Sequence, residues 1–280
     1  MRTLLSFLIL LNISCNPSNL KVVGDLPSEL NEVSGITTIS NSDLIWMVND
    51  SGNKPRIYGV SEDGKIRKEL KIKAKNNDWE DLASDSDGNI YIGDFGNNYS
   101  KRENLAILKV SKDSLNESGK INIERISFSY ENQTKSPPKK KGLYFDCEAF
   151  FYHKNNLYLF TKSRVKHDFG KTSLYKIPAK KGTHIAQLIA EFNTCEDMSC
   201  WITSADISDD GETVVLLTPN SIWSFTGFEA DNFFSGVAIK HDLGFDSQKE
   251  SVCFKDKQTL YIADEKAHGE GGNLYQLNFN

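Results

Sequence analysis

The chain repeats itself, and that repeat constrains its fold more than any other feature. An acidic residue recurs in or beside a short apolar run: Glu32-Val33-Ser34-Gly35-Ile36, Trp79-Glu80-Asp81-Leu82-Ala83, Cys147-Glu148-Ala149-Phe150-Phe151, Ala205-Asp206-Ile207-Ser208 and Glu250-Ser251-Val252-Cys253-Phe254. After a turn comes a run rich in β-branched and aromatic residues, as in Leu44-Ile45-Trp46-Met47-Val48 or Leu260-Tyr261-Ile262-Ala263. Third runs such as Arg56-Ile57-Tyr58-Gly59-Val60 and Asn273-Leu274-Tyr275-Gln276-Leu277 follow a polar loop. A fourth, more polar run completes four copies, at 66–73, 121–130, 184–192 and 237–243. The last copy lacks one, while Leu20-Lys21-Val22-Val23-Gly24 stands unassigned ahead of the first. The pattern predicts an all-β fold, a five-bladed β-propeller of four-stranded antiparallel blades, closed by pairing the N-terminal strand with the last blade.

The 280 residues are 39% hydrophobic and 25% charged, which excludes a disordered, collagenous or polytopic membrane chain. A net charge of −5 argues against a nucleic-acid partner, which needs a basic face to displace counterions. At the N-terminus, Arg2 precedes an apolar stretch from Leu4 to Leu11 that ends in Asn12-Ile13-Ser14-Cys15. The stretch is too short to span a bilayer and reads as a signal peptide over 1–14. Ser14-Cys15 resembles a bacterial lipoprotein cleavage site, although Asn12 stands where such sites carry Leu or Val. The expected organisation is therefore a leader, a lipid-anchored linker over 15–19 with Cys15 acylated, and a propeller domain over 20–280. It places a monomer in the cell envelope, attached to a membrane through lipid alone. Of the four other cysteines, Cys195 and Cys200 share one loop and suit a disulfide in an exported protein, while Cys147 and Cys253 lie in strands as buried thiols.

Propeller topology sends the loop before strand one and the loop after strand two to the same face. The turns of the other face, such as Ser61-Glu62-Asp63-Gly64 and Ser208-Asp209-Asp210-Gly211, are compact hairpin sequences. On the loop-rich face Glu32, Glu80, Glu148, Asp206 and Glu250 are expected to ring the channel as metal ligands. Asp50, Asp94, Asn97, Lys162, Arg164 and Asp264 are the expected ligand-binding residues around them. Crowded carboxylates need neutralising, and an oxygen-only donor set suits Ca²⁺ or Mg²⁺ rather than zinc. The competing reading is that these acids accept backbone amides of adjoining blades and stitch the ring.

Glu32-Val33-Ser34-Gly35, Asp78-Trp79-Glu80-Asp81, Asp146-Cys147-Glu148-Ala149 and Glu250-Ser251-Val252-Cys253-Phe254 resemble the SdiA-regulated family of bacterial propellers. The resemblance implies a five-bladed propeller with a calcium site, kin to NHL-repeat and phytase-like propellers, and carries no assigned reaction. No His-Glu-x-x-His, Gly-x-Ser-x-Gly or complete phosphate-binding loop is present. Two functions remain open. One is a module that binds a small anionic ligand or a protein on the loop-rich face. The other is a metal-dependent phosphoesterase or lactonase that uses the channel cation.

Overall fold

The computed structural model describes residues 20–135 and 139–278. The expected leader over 1–14, Cys15 and the expected linker to residue 19 lie outside the described residues. The chain enters through β1 (Leu20–Asp25) and meanders through β2 (Val33–Thr38), β3 (Ile45–Asn49), β4 (Arg56–Val60) and β5 (Ile66–Ile72). Next come β6 (Trp79–Ser84), β7 (Ile90–Asp94), β8 (Ala106–Val110), the two-residue β9 (Lys120–Ile121) and β10 (Glu124–Tyr130). A third meander holds β11 (Asp146–His153), β12 (Asn156–Lys162), β13 (Lys171–Pro178) and β14 (Gly182–Asn193). The fourth holds β15 (Ser204–Ile207), β16 (Thr213–Leu217), β17 (Ser221–Thr226) and β18 (Val237–Asp242). The chain finishes with β19 (Lys249–Asp256), β20 (Thr259–Asp264) and β21 (Asn273–Asn278).

These strands form four sheets, one of which has eight strands because β10 pairs in parallel with β14. Strand β1 lies antiparallel to β21 and supplies the last sheet with its fourth strand. The strand expected over 121–130 is instead divided. Lys120 and Ile121 pair in parallel with Lys71 and Ile72 of β5, and β10 begins at Glu124. The cause is packing: Ile121 is buried with Leu70 and Ile72, whereas Ile126 is buried with Phe128, Tyr130 and Phe150. One segment thus serves two apolar seams.

Strands β2, β6, β11, β15 and β19 contact one another in a closed cycle, β19 returning to β2. The period of two explains how the cycle is held. Trp46 and Val48 of β3 pack with Leu82 and Ile92, whereas Ile45 and Met47 of the same strand pack with Tyr261 and Leu274. Each meander thereby shares one apolar seam with the meander on either side, and the last shares a seam with the first. Each large side chain in a seam contributes about 1.5–3 kcal/mol of burial free energy. A closed ring of radially packed sheets is a β-propeller.

The inner strands converge at one level. Gly35, Asp81, Ala149, Ser204 and Ser251 pair there with Val48, Gly93, Phe160, Leu217 and Ala263. A Cβ on Gly35 would lie 2.6 Å from the backbone carbonyl carbon of Asp81, so the level requires glycine there. Asp81 fills the space, accepting the amides of Leu82 (2.8 Å) and Phe150 (3.2 Å) and the hydroxyl of Ser204 at 3.2 Å on both oxygens. Ser204 Oγ accepts the amide of Val252 at 3.1 Å. This level separates a mouth, where the inner strands begin, from a far end, where they stop. Leu20 stands opposite Leu277 and Asp25 opposite Asn273, so β1 runs antiparallel to β21 along the outer edge of the last sheet, and Gly24 and Asp25 pack on the 62–64 turn of the first meander.

Candidate functional site

The mouth is built on a recurrent backbone irregularity. A register shift falls between Val33 and Gly35, Trp79 and Asp81, Cys147 and Ala149, and Lys249 and Ser251. The extra residues are Ser34, Glu80, Glu148 and Glu250, and a bulge of this kind re-aims the side chain it carries. Ser34 Oγ donates to the Trp79 carbonyl at 2.8 Å, and Thr203 Oγ1 of the fourth meander donates to the Lys249 carbonyl at 2.7 Å. Two hydroxyls thus stitch neighbouring sheets, and three glutamates remain for the mouth.

Glu80 meets Asp50 and Asp78, with one oxygen from each lying within 4.8 Å of the others. Asp50 is placed from both sides. Its carbonyl accepts Asn76 Nδ2 at 2.8 Å, its amide donates to the Glu32 carbonyl at 3.0 Å, and its carboxylate accepts the Ser51 amide. Asn76 also accepts the Trp79 amide at 3.1 Å, tying the Asp50 loop to the strand that carries Glu80. A Cβ on Gly96 would sit 1.8 Å from Glu80 Oε1 and 2.6 Å from Asp78 Oδ2. The β7–β8 loop can pass over the carboxylates only because that residue has no side chain.

The electrostatics are those of an unfinished site. Burial raises the Glu80 pKa well above the usual carboxylate range, and Glu148, Asp50 and Asp78 add to the rise. Asp50 and Asp78 are also raised, first by burial and then by neighbouring acids, against lowering contacts from Ser51 and, for Asp78, Arg102. Among the described residues Glu80 has no hydrogen bond or ion pair, and the only ion pair of Asp78 is to Arg102 at 3.9 Å. Three hard oxygen donors in a cradle cleared by glycine fit a divalent cation of the Ca²⁺ or Mg²⁺ class.

Beside the acids stands a cationic wall from the third meander. Lys162 Nζ lies 3.1 Å from Glu148 Oε2, and Arg164 contacts Glu148 Oε1 at 3.2 Å and Asp146 Oδ2 at 2.6 Å. Both stack over Trp201, at 5.1 Å and 4.9 Å from the ring centroid. Trp201 is fixed by its Nε1 bond to the Ser163 carbonyl at 2.7 Å. Burial alone would lower the Lys162 pKa, but Glu148 and Glu250 outweigh it and raise the value. Glu265 borders the same mouth; burial, helped by Glu250, Asp50 and Glu32, pushes it up to about 8.

Of the expected metal ligands, Glu80, Glu148 and Glu250 share one register position, and Glu32 and Asp206 do not. Glu32 precedes the Val33–Asn49 pair as Asp78 precedes Trp79–Asp94, so it matches Asp78 rather than Glu80. Its carboxylate is exposed and accepts Asn53 Nδ2. Asp206 pairs with Val215 beyond the central level and accepts the amides of Ile207 and Phe254, both at 2.8 Å. It lines a far-end cavity of about 1010 Å³, and stitching is its use.

The expected ligand-binding residues divide similarly. Asp50, Lys162 and Arg164 reach the mouth. Asp94 is fully buried and receives Asn77 Nδ2 at 2.7 Å and Arg102 at 2.8 Å. Asp264 is fully buried and receives the Asn273 amide and the Tyr275 hydroxyl, both at 2.8 Å. Asp94 and Asp264 align with Asn49 rather than with Asp50, and one residue along a strand turns a side chain to the other face. Asn97 is buried with its amide on Asp146 (2.7 Å) and its Oδ1 on the Arg102 amide (2.8 Å), which sets the loop rather than the ligand. Asp78 and Glu265 are site residues that the repeat did not single out. Aligning Trp46-Met47-Val48 with Tyr91-Ile92-Gly93 and Tyr261-Ile262-Ala263 puts Glu265 against Asp50, and that signal lies in the sequence. Cys195 and Cys200 are bonded with their Cα atoms 5.8 Å apart, and Cys147 and Cys253 are buried free thiols.

No protein-family model and no curated protein sequence matches the chain. Solved structures do. A gluconolactonase from Xanthomonas campestris aligns at a TM-score of 0.50 and 12% identity, over 93% of this chain and 89% of that one. The PQQ-bound aldose sugar dehydrogenase of Streptomyces coelicolor aligns at 0.52 and 11% identity, over 92% and 97% of the two chains. A protein of unknown function from Bacteroides thetaiotaomicron aligns at 0.52 and 10% identity, over 92% and 75%. At these identities the likeness is one of fold, and it places this chain among the β-propellers.

Proposed function

We propose that the chain is a five-bladed, calcium-binding propeller that captures a small oxygen-rich anion at its channel mouth. Asp50, Asp78 and Glu80 would hold the cation, and Lys162 and Arg164 would hold the charge of the ligand beside it. The observation that carries this reading is the triad of carboxylates beneath Gly96, whose missing Cβ leaves their space open. The five meanders supply the blades, one blade taking β1 as its outer strand. The mouth motifs that resemble SdiA-regulated propellers are those that carry Asp78, Glu80, Asp146 and Glu148, which supports membership of that group. Calorimetric titration of chelator-treated protein with CaCl₂ tests the site. Asp78→Asn should weaken calcium binding on the order of tenfold or more. A wild-type chain that takes up no calcium ends this reading.

A second reading is hydrolysis of a lactone or phosphoester, and one observation favours it: Glu265 is held near neutral pKa at the mouth. When bound, the cation would polarise the scissile oxygen or lower the pKa of a water. Glu265 would accept the proton, and Lys162 and Arg164 would orient the anionic end. Calcium-dependent turnover of simple lactones or aryl phosphates, lost in Glu265→Gln with calcium affinity retained, is the expected result. Calcium binding without turnover of either class returns the protein to ligand capture.

For location, we propose export and acylation at Cys15, with the propeller held to a membrane of the envelope through lipid alone. Labelled palmitate should enter the wild-type chain in the bacterial host and not Cys15→Ser, which should be released as soluble protein.

A further inference from the structure

Lys54, Arg56, Lys71, Lys73, Lys75 and Lys120 line a groove of about 520 Å³ on the outer edge of the first meander, and no carboxylate residue lines it. Among the described residues, only Arg56 of these six has an ion-pair partner, Glu69. The groove is built by backbone and is not a chance gathering of mobile side chains. Ile72 donates its amide to the Pro55 carbonyl at 2.9 Å, and Lys73 donates its amide to the Ile121 carbonyl at 2.8 Å. Ile72 and Ile121 are buried beneath it, which fixes the short parallel pairing of β5 with β9. That register sets Lys71 directly opposite Lys120.

Like charges opposed across a strand pair destabilise it. The chain carries 38 acidic residues against 33 lysines and arginines, yet none of the 38 lines the groove, and Glu69, on Arg56, is the one that pairs with a cation of its lining among the described residues. The free protein therefore keeps a repulsive cationic cleft within a net-negative molecule. We propose that this groove is a binding site for a small, multiply charged oxyanion, distinct from the channel mouth. Several amines converging on one concavity suit an anion with oxygens on more than one side. Smallness follows from charge. A long polyanion would extend beyond the groove along a molecule that is net negative as a whole.

The test is calorimetric titration of the full chain with sodium tripolyphosphate and, separately, with trisodium citrate. EDTA is kept present so that a cation at the mouth plays no part. The wild type should bind at least one of the two, with affinity falling as NaCl rises from 50 to 300 mM, concentrations at which the screening length shrinks to roughly 6–14 Å. Preference for tripolyphosphate assigns the site to phosphoryl groups, and preference for citrate assigns it to carboxylates. Lys71→Gln/Lys120→Gln should weaken binding on the order of tenfold or more, while Lys180→Gln/Lys181→Gln, on another sheet, should leave it unchanged. The first double variant should melt no lower than wild type in the absence of ligand, because it removes an opposed pair. Binding of neither anion, equal binding by wild type and the groove variant, or equal loss in both double variants would overturn the proposal.

Discussion

Asp81 and Glu80 are neighbours on one strand, one buried and one half-buried, and they represent two kinds of acid. The oxygens of Asp81 receive two backbone amides and a hydroxyl, and those of Asp206 receive two backbone amides. The oxygens of Glu80 receive no donor among the described residues and face Asp50 and Asp78. The first kind is satisfied by the ring, and the second needs something from outside it. Donor count, more than burial or residue type, separates an acid that holds a propeller together from one that can hold an ion.

The largest effect that distinguishes the two kinds is expected from Asp81→Ala, which leaves the Leu82 and Phe150 amides and the Ser204 hydroxyl without their acceptor. It should cost about 3 kcal/mol or more in urea denaturation, by the usual cost of orphaned buried donors. The variant should keep calcium uptake in whatever fraction stays folded. Gly96→Ala comes next. Its Cβ would press on Glu80 Oε1 and Asp78 Oδ2, so the calcium-induced rise in melting temperature should be largely lost while the metal-free protein stays folded. A Gly96→Ala chain with the full calcium response would show that the cradle is not where the ion sits.

A smaller effect is expected with pH. Glu265, held up to about 8, and Asp146, held up to about 7, keep protons in the folded metal-free protein that the unfolded chain releases near pH 4. For acids with raised values the folded state binds more protons, so their contribution is fully present below about pH 4 and is lost as pH climbs to 8. The metal-free melting temperature should fall between pH 5 and 8, and the calcium increment should grow over the same interval. A calcium increment that shrinks as pH rises would contradict the crowded-acid account. The smallest effect belongs to Asp206→Asn, which keeps one acceptor for two amides. It should cost about 1 kcal/mol and leave calcium affinity untouched.

The repeat showed where the strands are and which one closes the ring, because alternation and turn residues are local properties of the chain. Residues 20–25 and 273–278 could be matched by bookkeeping of strands alone. The mouth was legible only in part, because the bulges at Glu80, Glu148 and Glu250 add a residue that hydrophobic pattern does not reveal. Glu32 and Asp206 therefore looked equivalent to the others when they stand two residues before and three residues after that position. Asp94 and Asp264 share the shape of a repeat position with Asn49, and their neighbours Phe95 and Glu265 share that of Asp50. A single-residue offset decides whether an acid joins a core network or a mouth. Phe95 departs from this rule: it shares the Asp50 position but is wholly buried against Phe128 and Phe150, as an apolar side chain there turns into the seam.

The place of β1 also bears on how the ring is held shut. Strand β1 is the outermost strand of the last sheet, yet its Gly24 and Asp25 pack on the backbone of Glu62, Asp63 and Gly64 in the first meander. The strand hydrogen-bonds to the last sheet along its length while its end rests on the first, so these six residues clasp two neighbouring meanders that the chain itself connects only through the whole ring.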